Sequence, residues 1–94
     1  MRLTEHERRT VLDAIRAADP DAQIWLHGSR VRDDARGGDI DLLVLSQRIQ
    51  FSDKLDVLAR LHEQLGEQRI DLTVARDEQR PFVRIAKATG VRLR

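Results

Sequence analysis

Apolar positions change their period several times along the chain, and each change predicts an element. Thr4 followed three residues later by Glu7 forms a capping box, after which Val11, Leu12 and Ile15 fall on one helical face until Asp19-Pro20 ends the pattern. Residues 22–27 carry β-branched and aromatic side chains and stop at Gly28, which predicts a first strand. Segment 29–38 is polar and closes on Gly37-Gly38, as expected of a connecting loop with room for a short helical turn. Residues 40–45 (Ile-Asp-Leu-Leu-Val-Leu) are a nearly continuous apolar run, typical of a strand covered on both faces, and only Asp41 interrupts it. Ser52 is placed to cap a second helix in which Leu55, Leu58, Leu61 and Leu65 recur, with Gly66 as its terminator. Residues 69–75 alternate as a third strand, again with an acid, Asp71, inside it. Pro81 opens a last short helix carrying Phe82, Ile85 and Ala86 and ended by Gly90, while 91–94 fits no element.

The order helix, strand, strand, helix, strand, helix has no internal repeat, low-complexity tract or linker. It predicts a single domain over residues 1–94 of α/β (α+β) class, a small sheet with helices packed on it. Ninety-four residues allow only a modest core, and 40% hydrophobic against 35% charged residues is compatible with one. Trp25, Phe82 and the leucine stripe of the second helix are its expected members. Seventeen basic and sixteen acidic residues leave a net charge of +1, so no global field favours nucleic acid or an anionic membrane. Aromatics at 3% also argue against a base-stacking surface. Without cysteine there is no disulfide framework, thiol nucleophile or cysteine-ligated metal. The charged N-terminus has no apolar signal core, and no stretch approaches the roughly 20 apolar residues of a membrane span. The expectation is a soluble cytoplasmic protein.

Aspartate is depleted in strands, so Asp39, Asp41 and Asp71 require a reason. Residues two apart in a strand share a face, which projects Asp39 and Asp41 together, about 6.6 Å apart along it. Asp71 joins them if the third strand neighbours the second. Like charges about 5 Å apart at an effective dielectric of ~20 repel by about 3 kcal/mol, a cost that a divalent cation reverses. An all-oxygen set without His or Cys suits Mg2+, which takes one or two carboxylates plus phosphates and water. The bland alternative has Asp39 ending a turn, Asp41 facing solvent from an edge strand and Asp71 pairing with an arginine. Upstream, Gly28-Ser29 directly after a strand is a turn in which backbone N–H groups and a glycine admit phosphate, with Arg30 following and Arg32 and Arg36 near. His6, His27 and His62 are scattered, and only His27 adjoins these residues.

The combination Gly28-Ser29, Asp39-Ile40-Asp41-Leu42 and Ile70-Asp71-Leu72 resembles the nucleotidyltransferase superfamily related to DNA polymerase beta. It is most similar to the minimal nucleotidyltransferases, the MNT-type proteins paired with HEPN toxins. The resemblance implies a mixed sheet with helices on one side and a nucleoside triphosphate, ATP first, held at Gly28, Ser29 and Arg30. It also implies Mg2+ on Asp39, Asp41 and Asp71, with Asp71 assisting deprotonation of the acceptor hydroxyl. Nine residues separate Ser29 from Asp39, one fewer than the MNT pattern, and His27 stands where an aromatic is common.

The expected activity is nucleotidyl transfer, AMP from ATP, to a hydroxyl on a helical HEPN-type partner protein. Since this chain has no Tyr, a tyrosine acceptor would lie in the partner. Two other readings share the residues: a non-catalytic nucleotide-binding or toxin-binding subunit, and transfer to a small molecule whose pocket would form at a partner or homo-oligomer interface.

Overall fold

The computed structural model describes residues 3–31, 39–66 and 68–94, with the side chains of Ser29 and Arg30 outside that description. Arg32, Arg36, Gly37 and Gly38 of the connecting loop also lie outside the described residues. The chain runs α1 (Glu5–Ala18), β1 (Gln23–His27), a 3-10 turn (Gly28–Val31), β2 (Ile40–Leu45), α2 (Phe51–Leu65), β3 (Ile70–Ala75), α3 (Pro81–Thr89) and β4 (Val91–Arg92). Every element read from the sequence is present, and the tail supplies a short fourth strand that the pattern did not reveal. No helix among the described residues is long and apolar enough to cross a membrane.

The four strands form one mixed sheet in the order β3-β2-β1-β4. β1 pairs antiparallel with both β2 and β4, whereas β2 and β3 run parallel, joined through α2. Gly90 makes the β4 pairing possible, because a Cβ there would lie 2.6 Å from the carbonyl oxygens of both Leu26 and Ala86. β2 is therefore internal, which removes the edge-strand explanation for Asp41.

The main core joins one sheet face to α1 and α2. Ile24, Leu26, Ile40, Leu42, Val44, Ile70 and Leu72 meet Val11, Ala14 and Ile15 of α1 and Val57 and Leu61 of α2. The opposite face carries a smaller cluster in which Val83 and Ala86 of α3 cover Trp25, Leu43 and Ala75. Helices thus occupy both faces rather than the single side that the family resemblance implied. That is why residues 40–45 are almost uninterruptedly apolar: Leu43 points away from the main core yet is fully buried.

The helix starts show one success and one correction. In α1 the Thr4 hydroxyl accepts from Glu7 N–H at 3.0 Å and Glu7 accepts from Thr4 N–H at 2.9 Å, the expected capping box. In α2 the cap is Gln50, two residues before Ser52: Asp53 accepts from Gln50 N–H at 2.8 Å. Packing against α1 and the sheet turns Val57 and Leu61 of α2 inward, with Leu58 and Leu65 beside them, and leaves Leu55 half exposed. Phe82, expected in the core, is 48% exposed because α3 buries Val83 and Ala86 instead.

At the end of the sheet where β2 and β3 finish, a buried polar knot fixes the layers. Asp19, at the end of α1, accepts from the Ser46 hydroxyl at 2.5 Å and from Asp21 N–H at 2.9 Å. The same serine oxygen accepts from Arg48 and Ile49 N–H, and Ser46 N–H donates to Ala75 at 2.9 Å. Burial pushes the Asp19 carboxyl upward, but the Ser46 hydroxyl, the Asp21 amide and nearby Arg48 outweigh it and hold the group below its ordinary value. Because its folded value is depressed, the stability it confers is present above the ordinary aspartate range and is lost as pH falls through that folded value. Asp19→Ala is expected to cost about 1–3 kcal/mol in chemical denaturation at pH 7, with the difference from the parent shrinking below pH ~4.

Candidate active site

The acids come together because of strand register. Asp41 of β2 stands opposite His27 of β1 in the antiparallel pair and opposite Asp71 of β3 in the parallel pair. Directly paired residues share a face, so His27, Asp41 and Asp71 form one row across three strands. Asp39, two residues upstream of Asp41, projects to the same side. The row lies on the α3 face, just beyond the apolar cover of Trp25, Leu43 and Ala75, where α3 leaves the sheet open. Asp71 is exposed while Asp41 and Asp39 are half-buried.

Gly28, first residue of the turn after β1, adopts φ +76°, a conformation that L side chains rarely take. A Cβ at this position would collide with the Asp41 carboxylate. The glycine is thus required twice, for the turn and for the seat of the central acid. Ser29 and Arg30 continue the backbone of that 3-10 turn, and their predicted contacts with phosphate lie outside the described side chains.

The electrostatics single out Asp41. Burial raises its carboxyl above the ordinary aspartate value; His27 works against that shift, whereas Asp71 and Asp39 add to it and Arg69 opposes it. The Nε2 atom of His27 is buried with no hydrogen-bond partner among the described residues, and the ring meets Phe82 edge-on at 5.6 Å. A buried ring nitrogen without a partner is costly in a purely structural role.

The three acids and Gly28 therefore lie together, though not as a closed cage, while the side chains of Ser29 and Arg30 lie outside the described residues. Among the described residues no three His, Asp or Glu converge to enclose a metal. Mg2+ does not demand that: a site of one or two carboxylates completed by substrate phosphates and water is its usual habit. The three carboxylates, the glycine seat that a Cβ would fill and the raised Asp41 carboxyl fit a divalent cation better than they fit the bland pairing with arginine. Among the described residues the arginine paired with these acids is Arg69, and its partner is Asp39, not Asp71. Sequence reading passed over Arg69, although its spacing from Asp71 repeats that of Asp39 from Asp41. A cleft of about 450 Å3 lined by Asp19, Ser46, Arg48, Arg76 and Glu78 lies instead at the far end of the strands. Its groups are engaged in closing the fold, as where Arg76 Nη1 donates to the Gln47 carbonyl at 2.6 Å.

A carboxyl whose folded value is raised favours the folded state below the ordinary aspartate range and loses that benefit as pH rises through the folded value. Asp41→Asn is accordingly expected to raise the Tm of the metal-free protein at pH 7, an advantage that vanishes toward pH 4 in thermal scans. Gly28→Ala has the opposite effect, costing at least about 1–2 kcal/mol from backbone strain at any pH, and the two substitutions combined recover part of that loss.

The sequence profile of the family described as Polymerase beta, Nucleotidyltransferase matches residues 15–93, a span that includes Gly28, all three acids and α3. No curated protein matches the chain at a significant level. With the profile covering most of its length and the acids aligned by the sheet, the chain belongs to the polymerase beta-like nucleotidyltransferase superfamily.

Proposed function

We propose that this chain is a cytoplasmic, Mg2+-dependent nucleotidyltransferase of the MNT type, which transfers AMP from ATP to a hydroxyl on a HEPN-type partner protein. The observation that carries the reading is the register of β2 against β3. It sets Asp41 beside Asp71, with Asp39 on the same face and Gly28 immediately below Asp41.

In this reading Asp39 and Asp41, with Asp71 in the same row, would hold Mg2+. A divalent cation held there would supply charge neutralisation for phosphoryl transfer. The turn at Gly28, with Ser29 and Arg30, receives the triphosphate on backbone N–H groups and side chains. Asp71, the most exposed of the row, accepts the proton of the acceptor hydroxyl. The acceptor oxygen forms a bond to the α-phosphorus as the bond to the β-phosphate oxygen breaks. Pyrophosphate leaves with that electron pair, and the proton passes from Asp71 to solvent. Phe82 and Ile85, 48% and 62% exposed on the helix beside His27, give the rim an apolar character that supports a protein acceptor over a free sugar.

One observation favours a second reading, a non-catalytic subunit that binds nucleotide or covers a toxin: the acids do not converge into a ligand set among the described residues. The two readings separate on turnover. With α-labelled ATP, Mg2+ and lysate of the source cell, the nucleotidyltransferase labels a protein band. Asp39→Asn/Asp41→Asn is expected to cut that labelling by at least about 100-fold, or about 2.7 kcal/mol of transition-state stabilisation. Partner capture without labelling by either protein would establish the non-catalytic subunit instead.

A further inference from the structure

Among the described residues Arg69 is the arginine that pairs with an acid of this face, and nothing in the transfer chemistry above uses it. It directly precedes β3, level with Asp39 across the parallel pair, and its carbonyl accepts from Ile40 N–H at 3.0 Å. Its Nε lies 3.5 Å from Asp39 Oδ2, with the two side chains 77% and 40% exposed. Since residues two apart share a face in extended chain, Asp39 and Asp41 on one strand oppose Arg69 and Asp71 on the next. The result is a four-cornered patch of three acids and one base. The backbone leading into it is anchored, because Gln68 donates to Glu7 at 3.0 Å and so ties the start of β3 to the capping box of α1.

A guanidinium stays charged at every working pH, so Arg69 is a fixed counter-ion for Asp39. One off-centre contact between two exposed groups is nevertheless weak, worth no more than a few-fold in an equilibrium constant. A divalent cation approaching Asp39 alone must displace that contact and meets the repulsion of the arginine. A triphosphate changes the balance, because its oxygens offer the forked, doubly bonded geometry that guanidinium prefers to a single carboxylate oxygen.

Resting on the nucleotidyltransferase reading, we infer that Arg69 is a positioning residue that occupies Asp39 until nucleotide arrives and then turns to the polyphosphate, so that metal and nucleotide enter together. Arg69 touches no reacting atom in this scheme; it couples two binding events.

The test titrates Mn2+ onto the full chain, reading free Mn2+ by electron paramagnetic resonance, with and without a non-hydrolysable ATP analogue. Arg69→Gln is expected to bind Mn2+ alone about 3-fold tighter than the parent, as the competing charge is gone, and to bind the analogue several-fold more weakly. Arg69→Lys, which keeps the charge but not the fork, restores the weak metal binding without restoring analogue affinity. Mn2+ binding that Asp39→Asn abolishes while Arg69→Gln leaves it and the analogue unchanged would overturn this inference alone. Absence of Mn2+ binding in every protein would overturn it together with the reading on which it rests.

Discussion

The parallel pairing of β2 with β3 is the constraint on which the rest depends. Side chains alternate along a strand, so a slip of one residue would send Asp71 into the main core and bring Ile70 or Leu72 up beside Asp41. The observed register is held by apolar burial on the reverse face, where Ile40, Leu42 and Val44 meet Ile70 and Leu72 over α1 and α2. The hydrophobic effect in one layer thereby sets the spacing of carboxylates in the other. Anchoring of the α1 start to Gln68 and of the α1 end to Ser46 fixes the helices to both ends of this strand pair.

The two ends of the sheet spend their acids in opposite ways. At the far end Asp19 is buried with its hydrogen bonds made, and its carboxyl is held low. At the near end Asp41 sits against a glycine that cannot be replaced without collision, next to two further acids, and its carboxyl is raised. The first arrangement stabilises the fold; the second opposes it in the free protein. A ligand that binds such a site only in the folded state would offset that cost.

Much of this was legible beforehand, for identifiable reasons. Strong periodicity located α1, and the apolar run at 40–45 located β2 and its two covers. Asp39, Asp41 and Asp71 stood out because their residue type contradicts their positions. What failed depended on three-dimensional choices among near-equivalent signals. Ser52 and Gln50 both stand at the start of α2 and Asp53 reaches Gln50, while packing against α1 and the sheet turns Val57 and Leu61 inward and leaves Leu55 out. Phe82 is a stronger apolar signal than Val83, yet the direction from which α3 approaches the sheet buries the smaller residue. β4 has two residues and no pattern of its own, and only the close approach at Gly90 permits it. Arg69 resembled any other surface arginine until the register placed it level with Asp39.

The central claim is that the row of acids is a receiver for metal-bound nucleotide. Its most direct test is the thermal shift produced by a non-hydrolysable ATP analogue in the presence and absence of Mg2+, on the parent chain and on Asp41→Asn. The account predicts a Tm rise that needs analogue and Mg2+ together and disappears in Asp41→Asn, although that variant starts from the higher Tm. An equal rise in both proteins, or none in the parent at millimolar analogue, would contradict it.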